Sequence, residues 1–220
     1  MSPKISHPNL VVPHSKALRG LFTKLRDVNT NCQDFTFYAK RAMRILAEEA
    51  IAELPSKEKT INTPIGPYNG VEIEVEKVCA VSIIRSGDAL LESVRECLPS
   101  VAVGKILIQR NEASKEKEPI FYYSKMPPGV EDMHILLCDP MLATGGSAKA
   151  AIDCMIEKYN VKKDRIIFAN MITCPEGLQA MAESYPEVKI VTACIDEGLN
   201  EDKYIVPGLG DYGDRFFNTM

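Results

Sequence analysis

Residues 135–147 read Ile-Leu-Leu-Cys-Asp-Pro-Met-Leu-Ala-Thr-Gly-Gly-Ser, and their order decides the fold class. Ile135 to Cys138 form a short apolar run suited to a buried strand, and Asp139 stands where that strand ends. Ala143, Thr144, Gly145, Gly146 and Ser147 follow, all small and two of them hydroxylic. Helix-favouring residues then run from Ala148 to Tyr159. Strand, small-residue turn and helix start together build a cradle of backbone N–H groups at the positive end of a helix. Such a cradle suits a phosphate monoester, and the Asp139 carboxylate is placed to meet sugar hydroxyls. No Gly-Lys-Ser/Thr follows and the G-x-G-x-x-G spacing is absent, which excludes a Walker loop and a dinucleotide fingerprint.

Outward from this loop, strands and helices alternate. Val78–Ile84 is a continuous β-like run, then a helix is expected over Asp88–Cys97 and a strand over Val103–Ile108. After the central loop come a strand at Arg165–Met171, a helix at Pro175–Ser184 and a strand at Val188–Cys194. This alternation predicts an α/β fold with a mostly parallel central sheet covered by helices on both faces. Before it, residues 1–14 read as an extended leader and Asp34–Leu54 as a helix closed by Pro55. Thr60–Thr63 and Val71–Val75 flank a turn holding Pro64, Gly66, Pro67, Asn69 and Gly70, the pattern of a β-hairpin arm. Residues 110–130 are charged and weakly patterned, as in a functional lid or a surface hairpin. No linker divides the chain, so residues 1–220 are expected to be one domain.

Two strands end in arginine. Val78–Ile84 leads to Arg85-Ser86-Gly87-Asp88, and Ile106-Leu107-Ile108 leads to Gln109-Arg110-Asn111-Glu112. Open α/β sheets keep their ligand crevice at the carboxyl ends of strands. The planar guanidinium fork suits the oxygens of pyrophosphate. At the C-terminus, Asp196-Glu197-Gly198-Leu199-Asn200 leads to Tyr204-Ile205-Val206-Pro207-Gly208-Leu209-Gly210-Asp211-Tyr212-Gly213-Asp214-Arg215. Pro207, Gly208, Gly210 and Gly213 oppose regular structure, so this segment is expected to be irregular and to leave backbone polar groups seeking partners.

The Asp-Pro-Met-Leu-Ala-Thr-Gly-Gly-Ser stretch resembles the phosphoribosyl pyrophosphate (PRPP) loop of type I phosphoribosyltransferases, in the variant carried by uracil phosphoribosyltransferases. The two arginine loops and the C-terminal loop are similar to segments of the same family, and the likeness runs from about His7 to the end. It implies transfer of the 5-phosphoribosyl group from PRPP to uracil, giving UMP and pyrophosphate in pyrimidine salvage. It assigns PRPP to Arg85, Arg110, Asp139, Pro140, Met141, Leu142, Ala143, Thr144, Gly145, Gly146, Ser147 and Asp211, and uracil to Ile205, Gly210, Asp211 and Tyr212. Asp211, Arg110 and Asp139 are the implied catalytic residues. Mg²⁺ is the implied cofactor, held mainly through substrate and water rather than at a protein metal site. The hairpin implies a homodimer or higher homo-oligomer, and some relatives take GTP as an effector. The chain departs from the family at Ser86, usually Ala, and at Asn111-Glu112-Ala113-Ser114, usually Asp/Asn-Glu-Glu-Thr.

Composition narrows the alternatives. A formal net charge of −4 with scattered Lys and Arg gives no basic field, so neither nucleic acid nor a membrane surface is an expected partner. No apolar run approaches the ~20 residues of a membrane span, and the N-terminus with Pro3, His7, Pro8 and Pro13 lacks a secretory layout. The seven cysteines contain no C-x-x-C pair, and a reduced cytoplasmic setting is expected. A purine or orotate transferase is disfavoured by the Asp139-Pro140 pair. A non-catalytic PRPP- or UMP-binding regulator would be expected to lose the arginines or the base loop, and this chain keeps both.

Overall fold

The computed structural model describes residues 7–110 and 119–219, with the Arg110 side chain outside that description. Strand β1 (Leu10–Val11) leads into helices α1 (Lys16–Arg26) and α2 (Cys32–Ala52). Strands β2 (Ser56–Asn62) and β3 (Pro67–Ile73) pair antiparallel as the expected arm, starting four residues earlier than the sequence pattern suggests. Then come β4 (Val78–Ile84), α3 (Gly87–Cys97), β5 (Ala102–Arg110), β6 (Pro119–Lys125), β7 (His134–Cys138), β8 (Met141–Leu142) and α4 (Gly146–Tyr159). The chain closes with β9 (Ile166–Thr173), α5 (Pro175–Ser184), β10 (Lys189–Ile195), the short β11 (Gly198–Leu199) and β12 (Ile205–Val206), and α6 (Tyr212–Phe217).

The main sheet runs β1-β10-β9-β7-β4-β5-β6, with β8 also paired to β9. All neighbours are parallel except β6, which lies antiparallel on β5 at the edge. The central strands are buried on both sides, which is why they read as unbroken apolar runs rather than alternating ones. Alternate residues still serve different faces. Val78 and Ala80 pack with α1, α2 and α3, whereas Cys79, Val81 and Ile83 pack with α4 and α5. From β4 the chain crosses by α3 to β5 on one side, and from β7 it crosses by α4 to β9 on the other. The connections therefore part between β4 and β7, the switch point where open α/β sheets hold ligands.

Three elements differ from the sequence expectation. Helix α1 lies in a stretch without an expected element, because Gly20 and the polar residues around it weaken the helical signal. Its Leu18, Leu21, Phe22 and Leu25 nevertheless recur at helical spacing and are buried, with Ser15 capping the start. Residues 119–125 form an edge strand within the stretch expected to be a lid or hairpin, while 111–118 lie outside the described residues. Helix α6 begins at Tyr212 inside the segment expected to be irregular. Asp211 caps it by accepting the Asp214 N–H at 2.9 Å, and burial of Tyr212 and Phe216 outweighs the cost of Gly213.

Phe35 of α2 connects these layers: it meets Tyr212 edge-on at 5.6 Å and lies 4.3 Å beneath the Arg215 guanidinium. Phe35→Ala is expected to cost about 3–5 kcal/mol in urea unfolding, the usual range for a fully buried aromatic truncated in a core. A loss below about 1 kcal/mol would mean that α6 does not depend on this ring.

Candidate active site

A crevice of about 750 Å³ opens at the carboxyl ends of β4, β5 and β7. Arg85, Asp139, Met141, Ala143 and Ser147 line it from the sheet, and Ile205, Gly210, Asp211 and Tyr212 line it from the C-terminal loop. Segments more than a hundred residues apart in sequence thus meet at the switch point. Packing there is tight: a Cβ on Gly87 would lie 2.2 Å from the Cys138 carbonyl oxygen, so only glycine lets the Arg85 loop rest against the end of β7.

Asp139 follows β7 and is half-buried, its carboxylate facing the Met141 N–H at 3.5 Å. Pro140 and Leu142 serve the scaffold. The Pro140 carbonyl accepts the Met171 and Ile172 N–H groups at 2.9 and 3.1 Å, and the Leu142 carbonyl accepts the Thr173 hydroxyl at 3.0 Å. Leu142 itself is core, at 1% exposure. Thr144, Gly145 and Gly146 form the turn between Ala143 and Ser147. Gly145 takes the left-handed conformation at φ 83° and precedes α4 without a side-chain cap. The first-turn N–H groups of an α-helix have no intrahelical acceptor, so this end is equipped to receive an anion.

Arg85 stands half-exposed at the end of β4, donating to Asp214 at 2.8 Å and to Thr219 at 3.1 Å. Arg110 closes β5 opposite Pro119, and its side chain lies outside the described residues. Ile205 and Gly210 belong to the crevice wall, and Asp211 lines it while capping α6. Tyr212 lines the crevice with its ring turned into the core. Its ring is 1% exposed, stacked on Phe216 at 5.6 Å, and its hydroxyl donates to Met43 Sδ at 3.3 Å. That ring belongs to the core, which leaves the main chain at Tyr212 to face the crevice.

Several functional supports escaped the sequence reading. Arg26 donates to both carboxylate oxygens of Asp196, at 2.8 and 2.6 Å, and to the Gly208 carbonyl at 2.7 Å. Asp196 in turn accepts the Gly208 N–H at 2.8 Å. Burial pushes the Asp196 carboxyl up, but the Arg26 contacts and the Gly208 N–H outweigh it and hold the group below the ordinary aspartate range. Arg215 returns the tie, donating to the carbonyls of Leu25, Leu209 and Asp27 at 2.5, 2.8 and 2.8 Å. The only sequence signal was the Asp196-Glu197-Gly198 run, whose partner in α1 lies 170 residues away. Lys203 and Tyr204 also line the crevice.

The fold defined by this sheet and crevice is that of the phosphoribosyltransferases. The chain matches the adenine phosphoribosyltransferase of Trypanosoma brucei, solved with AMP, pyrophosphate and ribose-5-phosphate, at a TM-score of 0.56 and 14% identity, over 86% of this chain and 84% of that one. It matches the AQ2163 protein of Aquifex aeolicus at a TM-score of 0.83 and 30% identity, over 96% and 98% of the two chains. Uracil phosphoribosyltransferase 1 of Schizosaccharomyces pombe is 43% identical over 100% of this chain and 99% of its own length. The sequence model of uracil phosphoribosyltransferase matches residues 12–219, and the chain belongs to that family.

The Arg26–Asp196 clamp sets a pH dependence. A carboxyl held low in the folded state stabilises it fully above the unfolded value, and that contribution fades as pH falls through the folded one. Asp196→Asn should therefore be less stable than the parent by a gap that is constant down to about pH 4, the ordinary aspartate value, and closes below it. Urea midpoints across pH read this directly. A gap already closing at about pH 6 would mean that the Asp196 carboxyl is not held low.

Proposed function

We propose that the chain transfers the 5-phosphoribosyl group of PRPP to uracil, releasing pyrophosphate and leaving UMP. One observation carries the reading: Arg85 and Asp139 flank the switch point, and a loop that can offer main-chain groups to a base closes the crevice above them. The 5′-phosphate takes the turn Ala143–Ser147 at the start of α4, and the ribose hydroxyls take Asp139. Arg85 and Arg110 receive the pyrophosphate. The C1–oxygen bond breaks with its electron pair leaving on pyrophosphate, and the two guanidinium forks stabilise that charge. Uracil N1 then bonds C1 and gives up its proton to the departing pyrophosphate, while main-chain groups around Ile205, Gly210, Asp211 and Tyr212 hold O2, N3–H and O4.

Positioning and electrostatics supply the rate, since none of His7, His14 and His134 lines the crevice. Asp139 and Asp211 are hard oxygen donors on its walls, a set that fits Mg²⁺ shared with substrate oxygens and water. When bound, Mg²⁺ supplies Lewis-acid stabilisation of pyrophosphate and ribose oxygens. The whole chain acts as one catalytic domain of pyrimidine salvage in the cytoplasm; no helix among the described residues is long and apolar enough to cross a membrane. The hairpin β2–β3 carries Ile65 and Val71, 98% and 73% exposed, as an apolar surface for a second copy of the chain. Adding GTP to the assay tests whether the effector taken by some relatives acts on this chain.

Base selection tests the assignment. Cytosine presents a donor at position 4 and an acceptor at N3, so each mismatched group loses its partner in a site built for uracil. Such sites reject the wrong edge by about 10⁴ or more. With PRPP and Mg²⁺, uracil and 5-fluorouracil should turn over, whereas cytosine and orotate should not; comparable rates with either of the latter would restore the rival transferases. Binding of PRPP or UMP without turnover would instead indicate a regulator.

Two substitutions test the phosphate contacts. A Cβ at Gly146 meets only ordinary contacts at 3.7 Å, so Gly146→Val should fold yet bind PRPP at least about tenfold more weakly, the scale of one charge-assisted hydrogen bond. Arg110→Ala should lower turnover at least about tenfold, as expected when a desolvated charge loses its partner. Retention of parental values in either would remove that residue from the site.

A further inference from the structure

Arg85 is contacted by Asp214, Phe217 and Thr219, in and just after α6. Its Nη2 donates to Asp214 Oδ1 at 2.8 Å, its Nη1 donates to the Thr219 hydroxyl at 3.1 Å, and its guanidinium lies 5.3 Å from the Phe217 ring centre. The Thr219 hydroxyl donates onward to Asp214 Oδ1 at 2.6 Å, and the Thr219 N–H bonds the Asp214 carbonyl at 3.1 Å. The three side chains thus close a triangle. We propose that Asp214 and Thr219 are positioning residues that hold Arg85 for the pyrophosphate end of the substrate, so that the pyrophosphate and base subsites move as one unit. The inference rests on the reading of the crevice given above.

Three features support it. First, a guanidinium has five N–H donors in a rigid fork, and this triangle engages one on each terminal nitrogen, so others remain for substrate oxygens. Second, Asp214 sits one helical turn from Asp211, which lines the crevice and caps the same helix. Any shift of the base loop therefore moves the carboxylate that orients Arg85. The contact is close: a Cβ on Gly213 would lie 2.8 Å from Ser86 Oγ and 3.1 Å from Arg85 Nη2, so the start of α6 rests directly on the arginine loop. Third, the Arg85–Asp214 pair is 48% and 39% exposed, and pairs so open contribute little to stability. Its consequence is orientation, which lowers the entropy lost when Arg85 meets a ligand.

Calorimetric titration with Mg²⁺–pyrophosphate and, separately, with UMP tests the inference on the full chain. Asp214→Ala and Thr219→Ala should each weaken pyrophosphate by about two- to tenfold, the effect of ordering one rotamer-rich side chain on binding. UMP affinity should stay unchanged, and Arg85→Ala/Asp214→Ala should bind pyrophosphate no more weakly than Arg85→Ala alone. Unchanged pyrophosphate affinity in both single variants, additive losses in the double variant, or equal losses for UMP would overturn it; the last would mark a purely structural role in α6. Thr219→Ala keeps the test open should Asp214→Ala fail to fold. A parent protein that binds neither pyrophosphate nor UMP would overturn the reading of the crevice itself, a result distinct from any difference among variants.

Discussion

The C-terminal wall of the crevice depends on the hydrogen-bonded ion pair between Arg26 and Asp196. The loop after β12 has little regular structure of its own, since it follows a strand of two residues and ends only where α6 begins at Tyr212. Its backbone groups still require partners. Arg26 and Asp196 supply them at both polar groups of Gly208, and Arg215 reaches back to the carbonyls that end α1. Cationic donors there satisfy carbonyls left open at a helix C-terminus and oppose its dipole. Asp196 is almost wholly buried, so removing either partner of such a pair costs about 3–5 kcal/mol, far more than a surface bridge. An irregular loop becomes a fixed wall through these charges.

The opposite wall is fixed by topology. Because the chain leaves β4 and β7 in opposite directions, the Arg85 and Asp139 loops diverge and a crevice must open between them. The helices that follow pack on opposite faces, α3 with the α1–α2 layer and α4 with α5, and each has its own apolar cluster. The turn that starts α4 meets both: Ala143 packs in the cluster that also holds Ile205 and Leu209 of the C-terminal loop, and Leu142 and Ala148 pack in the other. Across the crevice, α6 meets the Arg85 loop directly, through Arg85 and Asp214.

The sheet was largely legible in the sequence because doubly buried strands are written as unbroken apolar runs, as at Val78–Ile84 and Ile166–Thr173. The small-residue turn was legible because it is local, a strand, small residues and a helix start within thirteen positions. Helix α1 was hidden by Gly20, although its apolar spacing was present. Helix α6 was hidden by its glycines, and tertiary burial of Tyr212 and Phe216 decided the outcome. The Arg26–Asp196 and Arg85–Asp214 pairs were not legible at all: they join residues 170 and 129 positions apart, and surrounding residue types announce neither. Tyr212 shows the limit of a motif, which marks a position as near the site without saying which way its ring turns.

The central claim is that main-chain groups of the C-terminal loop read the base while the start of α4 holds the phosphate. A crystal structure of the chain with UMP tests this most directly. The account expects the uracil O2, N3–H and O4 on backbone groups within residues 205–212 and the 5′-phosphate at the N–H groups of residues 143–147. A pyrimidine ring held by side chains elsewhere, or a phosphate bound away from the start of α4, would contradict it.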